Sequence, residues 1–349
     1  MTPGIAEFLS LDEIERAAVF DATAERIGTP PSNVEKDFWV CVVLDALFNG
    51  RPGTAHRVVF KGGTSLSKVY DAISRFSEDV DIVVMREDLG FEGDEDPANR
   101  HGPLRGKPLD RAIKELRAEC TAYVHGELRE HVAAALATLP VMAEVDIDDE
   151  NPAEPILLVR YPCVTDGGAG YNPQMVKIEA GARSAVLPDV LASVTPYISA
   201  EVEIDLEVHG IRAVAAQRTL LEKLVILHGT SCRDRDQGHV LDDRNRLSRH
   251  YYDVARLSEI PEIAAAVHDR DLLVDVVEHS KRTFGNGWRK LDEAVPGTFN
   301  IAPSDRLIDQ LSTDYDRMTG MMFGEPPAFE WVVERVNLLA DELNGTATP

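Results

Sequence analysis

The segment Lys61-Gly62-Gly63-Thr64-Ser65, followed by Arg75-Phe76-Ser77-Glu78-Asp79-Val80-Asp81-Ile82-Val83, carries the residue types that phosphate chemistry needs. Glycines let backbone amides and small hydroxyls approach an anion closely, and a helix that follows adds the positive end of its dipole. Gly62, Gly63, Thr64 and Ser65 are therefore the candidate phosphate cradle. Asp79 and Asp81 stand two apart in a β-rich run, so both carboxylates project from one face, about 7 Å apart along the strand. Two like charges so placed invite a divalent cation. Hard oxygen donors favour Mg2+, which binds through one or two carboxylates together with substrate phosphates. The expected substrate is a nucleoside triphosphate (NTP). The same Asp-x-Asp spacing recurs at Asp146/Asp148, after a strand with no glycine turn, and at Asp234/Asp236, in a polar stretch read as a loop. Both of these pairs are assigned to the surface.

The elements that must position the site follow from hydrophobic spacing. Leu11, Ile14, Ala17 and Ala18 recur at helical intervals, a Gly-Thr-Pro-Pro break follows, and EKDFWVCVVLDALF supplies a second helix. Arg57 to Phe60 is a short apolar run entering the two glycines, Ser65 to Ile73 reads as a helix, and Asp81 to Met85 as a strand. Phe91 to Pro108 suits a loop and Leu109 to Leu139 an Ala-rich helical stretch. Val141 to Ile147, Ile156 to Tyr161 and Gln174 to Ala180 read as strands. After Pro196 the character turns mainly helical, with Val214 to His228, His250 to Ile260 and further helices to about Glu342, before a frayed tail NGTATP. The expected organisation is N-terminal helices over 1–50, an α/β core over 51–195 and a mainly helical domain over 196–349.

Composition narrows the function classes. With 36 Lys and Arg against 60 Asp and Glu, the net charge is −24, which argues against coating nucleic acid or an anionic membrane by bulk charge. A polyanionic partner has to meet a local basic patch. Cys41, Cys120, Cys163 and Cys232 are widely spaced, so they suggest buried thiols in a reducing compartment rather than a disulfide or zinc framework. The first residues lack the features of an export signal, and the most apolar stretch, Phe38 to Phe48, is too short to span a bilayer. The expectation is a soluble cytoplasmic chain with no membrane partner.

KGGTSLSKVYDAISRFSEDVDIVV resembles the signature of the AbiEii-type nucleotidyltransferase toxins, a branch of the polymerase-beta-like nucleotidyltransferase superfamily, and is similar to the mycobacterial MenT toxins. EKDFWVCVVLDALF, LLEKLVIL at 220–227 and RHYYDVARL at 249–257 extend the likeness over roughly residues 30–260. The resemblance implies an α/β polymerase-beta-like nucleotidyltransferase core with a short mixed sheet, flanked by N-terminal helices and a C-terminal helical domain, with the active site in a cleft between them. It implies the toxin of a toxin–antitoxin or phage-defence pair, a cognate antitoxin partner, and transfer of NMP to the 3′ end of tRNA, which blocks aminoacylation and translation. Carried over to this chain, Gly63 and Ser65 would cradle phosphates, Ser77 would face them, Asp79 and Asp81 would hold metal, and Lys223 and Asp253 would match the family's later lysine and aspartate. The family's last motif reads R-D-x-x-D; this chain has His250 where its first aspartate stands.

An ammonium at Lys223 suits the charge that builds on a departing pyrophosphate, and Lys223 lies between Leu220, Leu221 and Leu224 on an apolar helix. The superfamily often places a third carboxylate on a later strand, which makes Glu179 a candidate metal ligand or general base. Lys177 shares its face, so a cross-strand ion pair is the alternative. Basic clusters at Arg100 to Arg117, Arg233 to Arg249 and KRTFGNGWRK at 281–290 are candidate RNA surfaces, the last with Trp288 for base stacking. His228, Cys232, His239 and His250 are spaced too irregularly for a metal site. Two alternatives keep the same pocket: nucleotidylation of a protein hydroxyl, and a non-catalytic NTP-binding regulator.

Overall fold

The computed structural model describes residues 1–165, 174–238 and 246–345. His239 and most of the NGTATP tail lie outside these residues. The chain divides into two compact units, the first made of Met1–Tyr70, Phe76–Asp96 and Gly102–Val214, the second of Asp71–Arg75, Pro97–His101 and Ala215–Pro349.

The first unit opens with helices α1 (Pro3–Leu9), α2 (Glu13–Ile27) and α3 (Pro31–Phe48). Asp12 and Glu15 cap α2 reciprocally, and Gly28 ends it in the left-handed conformation. α3 is apolar on nearly every side and is buried accordingly. Around it Phe8, Phe20 and Phe38 form an aromatic cluster, and Trp39 stacks on Tyr161 with centroids 4.9 Å apart. Next come β1 (Val58–Lys61), α4 (Gly62–Lys68), β2 (Asp79–Val84), α5 (Gly106–Tyr123), α6 (Arg129–Leu136), β3 (Glu144–Ile147), β4 (Ile156–Arg160), β5 (Met175–Gly181), β6 (Asp189–Val194) and β7 (Val208–Val214). The strands form one mixed sheet in the order β3-β4-β5-β2-β1-β7-β6. β2 lies antiparallel to β1 and parallel to β5, and β1 is parallel to β7. Val80, Ile82 and Val84 of β2 are fully buried in the core that contains α3. Alternation sends Asp79, Asp81 and Val83 to the other face, where Val83 packs with Val59 and Val214.

The second unit is helical: α7 (Ala216–Gln237), α8 (Ser248–Ser258), α9 (Pro261–Ala264), α10 (Arg270–Phe284), α11 (Asp305–Met318) and α12 (Phe329–Asn344). α8 packs on α7, α11 and α12. Asp269 and Ser304 accept backbone N–H bonds at the starts of α10 and α11, and Gly345 ends α12.

Several expectations need correction. Helical character sets in at Ala216 rather than after Pro196, because β7 still belongs to the sheet, between β1 and β6. α4 begins at Gly62 and stops at Lys68, short of Ile73, and Asp71 turns the chain with φ 47°. The long helical stretch is interrupted by a π-helical turn over Val124–Leu128 that contains Gly126. Asp234 is not on a surface loop: it lies in α7, buried, where it accepts from Ser304 Oγ (2.6 Å) and Arg306 Nε (3.0 Å). Asp148 is also buried, accepting from Glu150 N and Asn151 Nδ2 in the turn after β3.

Candidate active site

β1 runs into Gly62, whose φ of +81° suits a residue without a side chain. A Cβ at Gly62 would lie 2.1 Å from Asp81 Oδ2, so this glycine also makes room for the carboxylate. The register explains the closeness, since Lys61 stands opposite Asp81 across β1 and β2. The Thr64 hydroxyl lies 2.9 Å from Ser77 Oγ and donates to Asp79 O, tying α4 to β2. The Ser65 hydroxyl, fully buried, donates to Gly62 O at 2.9 Å and fixes the turn. Thr64 and Ser65 thus shape the cradle from within, while Gly62, Gly63 and Ser77 stay partly exposed.

On β2 and β5 the register pairs Asp81 with Glu179 and Asp79 with Lys177, so three carboxylates and one ammonium share one face. Lys177 Nζ lies 2.6 Å from Glu179 Oε1. Burial, followed by the charges of Glu179, Glu78 and Asp81, pushes the Asp79 carboxyl up to about 6. The excess of negative charge is what a divalent cation would relieve. Among the described residues no group of three or more His, Cys, Asp or Glu is set to enclose a metal. Asp79 and Asp81 therefore fit a small hard cation that takes its remaining ligands from substrate phosphates and water.

A testable consequence follows from the raised Asp79 carboxyl. Its folded-state pKa lies above the unfolded value, so the folded protein holds the proton more tightly, and stability falls as pH rises from about 4 to 6. Without metal, Asp79→Asn is expected to be more stable than the wild type at pH 8 by about 1–3 kcal/mol, the gain shrinking toward pH 4. Thermal melts in EDTA at both pH values check this; a variant less stable at pH 8 contradicts it.

α3 supplies support that the sequence reading did not assign. Lys36 Nζ meets Glu78 Oε2 at 2.6 Å, Glu35 accepts from the backbone N–H groups of Val164 and Thr165, and Asp37 pairs with Lys68 and accepts from Tyr197 N. The visible signal was three consecutive charged residues opening an apolar helix.

The second unit brings Lys223 and Asp253 together. Asp253, fully buried, accepts from Arg75 in a bidentate pair (2.8 and 2.9 Å) and from Lys223 Nζ at 2.9 Å. Burial lowers the Lys223 pKa, with Asp253 opposing and Arg75 adding to the effect. His250 Nδ1 lies 3.5 Å from Lys223 Nζ; burial, Lys223 and Arg249 hold the imidazole well below its ordinary range, hence neutral. Arg75 was not singled out from sequence, although it stands four residues before Asp79.

His228 is held within its own unit: its Nδ1 accepts from Asn300 N and its Nε2 faces Lys290 O. In the 281–290 cluster Lys281 pairs with Glu278 and Asp292, Lys290 with Asp236, and the Arg233 and Arg289 guanidinium groups lie 5.1 and 6.0 Å from the Trp288 ring centroid. Its charge is largely spent inside the unit.

A glycine turn leading from β1, paired carboxylates on β2 and a third on β5 thus lie together on one sheet face. A family model for the nucleotidyl transferase AbiEii toxin of type IV toxin–antitoxin systems matches residues 45–335, and the chain belongs to that family. The family implies an NTP substrate, a divalent metal and an antitoxin partner. The solved structure of MenT4, a nucleotidyltransferase toxin from Mycobacterium tuberculosis H37Rv, is similar in fold, with a TM-score of 0.50 over 94% of this chain and 89% of that chain at 18% identity. No curated protein sequence matches. No helix among the described residues is long and apolar enough to cross a membrane.

Proposed function

We propose that this toxin, acting in the cytoplasm, transfers a nucleoside monophosphate from an NTP to the 3′ end of tRNA, with Mg2+ held at Asp79 and Asp81. The observation that supports the reading most is the crowding of Asp79, Asp81 and Glu179 on one face beside Gly62. When bound, Mg2+ would supply charge neutralisation at the reacting phosphates. Gly62, Gly63, Thr64 and Ser65 shape the turn that receives them, and Ser77 offers a hydroxyl beside it. Glu179 accepts the proton of the attacking hydroxyl, with Lys177 Nζ 2.6 Å from its Oε1. Lys223, held by Asp253, is assigned to the charge of departing pyrophosphate. The tRNA acceptor comes from the family resemblance. A protein hydroxyl as acceptor is the second reading, favoured by the net charge of −24.

The test incubates purified protein with total tRNA and each α-labelled NTP in turn, with Mg2+ or with EDTA. Label at the RNA 3′ end that needs Mg2+ is the expected result, and it names the nucleotide. Label on a protein band instead moves the acceptor to protein, and no transfer to either overturns the proposal.

A further inference from the structure

The second unit holds a pocket of about 450 Å³ walled by Ser74, Tyr252, Arg256, Phe323, Pro327 and Trp331, among others. Its walls are tied together: Phe323 N donates to Ser74 O (3.0 Å), Ser74 N to Tyr252 Oη (3.2 Å), and Tyr315 Oη to Pro327 O (2.8 Å). The Tyr252 oxygen accepts there, so its proton is left to give. The Arg256 guanidinium makes no hydrogen bond and no ion pair among the described residues, and its Nε is buried without a partner. A half-buried guanidinium with no counter-ion is poorly compensated, and an anion in the pocket supplies the charge-assisted bonds it lacks. Glu325, the one acid in the lining, is exposed and forms no ion pair with it. The half-buried Trp331 indole and the Phe323 ring offer flat apolar surface beside that cation.

We propose that this pocket binds one nucleotide unit, with its base against Trp331 and its phosphate on Arg256. A flat aromatic joined to an anion matches both features at once. The volume lies in the range of small-molecule sites and is too small for a partner helix, which sets a nucleotide ahead of an antitoxin segment. Its lining residues all belong to the second unit, and binding there needs neither metal nor transfer chemistry.

Binding of AMP and of adenosine in EDTA, followed by saturation-transfer NMR and calorimetry, tests it on the full chain. The wild type is expected to bind AMP about tenfold or more tightly than adenosine, and Arg256→Gln to erase that preference. Trp331→Ala is expected to weaken both ligands by about tenfold, while Trp331→Phe retains most binding. Circular dichroism verifies that each variant is folded. Equal affinity for AMP and adenosine, or AMP binding indifferent to both sites, overturns the proposal. So does the absence of saturable AMP binding while a photo-cross-linker at Phe323 joins a co-expressed antitoxin, which would make the pocket a protein-docking site.

Discussion

Gly62→Ala and Asp81→Asn are each expected to abolish nucleotidyl transfer, with a loss of about three powers of ten, although only one of them alters a charged group. Asp81→Asn removes one of the two carboxylates on β2 that fit a cation, and a few kcal/mol of lost charge stabilisation corresponds to a loss of this size. Gly62→Ala reaches the same lesion from the opposite strand. Its Cβ would sit 2.1 Å from Asp81 Oδ2 and 2.8 Å from Asp81 Cγ, so the carboxylate has to leave its place. The two variants should part on stability. A side chain at φ +81° costs about 1–2 kcal/mol, which lowers the melting temperature of Gly62→Ala. Asp81→Asn relieves part of the repulsion that raises the Asp79 carboxyl and should melt no lower than the wild type. Label transfer and Mg2+ titration in the presence of NTP, beside thermal melts, check both variants. A folded Gly62→Ala enzyme with full transfer activity would contradict the placement of Asp81 at the reacting phosphates.

What the sequence revealed and what it hid divide along chain separation. The unit β1, turn, α4 and β2 was legible because Gly62-Gly63 and the alternation around Asp79 and Asp81 are local signals. Glu179 was legible as a face-mate of Lys177, but its register opposite Asp81 depends on the strand order β5-β2-β1, which no local pattern encodes. β7 was missed because Val208–Val214, with His209, Gly210 and Arg212, alternates weakly; its pairing with β1 and β6 makes it a strand. Asp234 looked like part of a polar loop because Ser304 and Arg306, which bury it, lie about seventy residues on. Arg75 escaped notice for the same reason, since its partner Asp253 is 178 residues away. Glu35, Lys36 and Asp37 were visible as a charged run, yet each grips a different distant segment.

Asp253→Ala is expected to be the most damaging single change to stability, costing about 3–5 kcal/mol. It removes the buried carboxylate that the Arg75 guanidinium and the Lys223 ammonium each now meet within 3 Å. Burial alone would push the Asp253 carboxyl up, but Arg75 and Lys223 outweigh it and hold the group well below the usual carboxylate range. A depressed folded-state pKa means the stabilisation is present above about pH 4 and is lost as pH falls further. The wild type should therefore lose its margin over Asp253→Ala in acid, and melts from pH 7 down to pH 3 would show the two curves converging. Lys223→Met separates the structural role from the chemical one. It removes a buried cation while leaving the bidentate Arg75–Asp253 pair intact, so stability should change little, and in the double variant with Asp253→Ala it should restore part of the loss. If Lys223 also serves the departing pyrophosphate, the stable Lys223→Met enzyme should nonetheless transfer nucleotide at least about a hundredfold more slowly. Normal turnover in that variant would reduce Lys223 to a partner of Asp253.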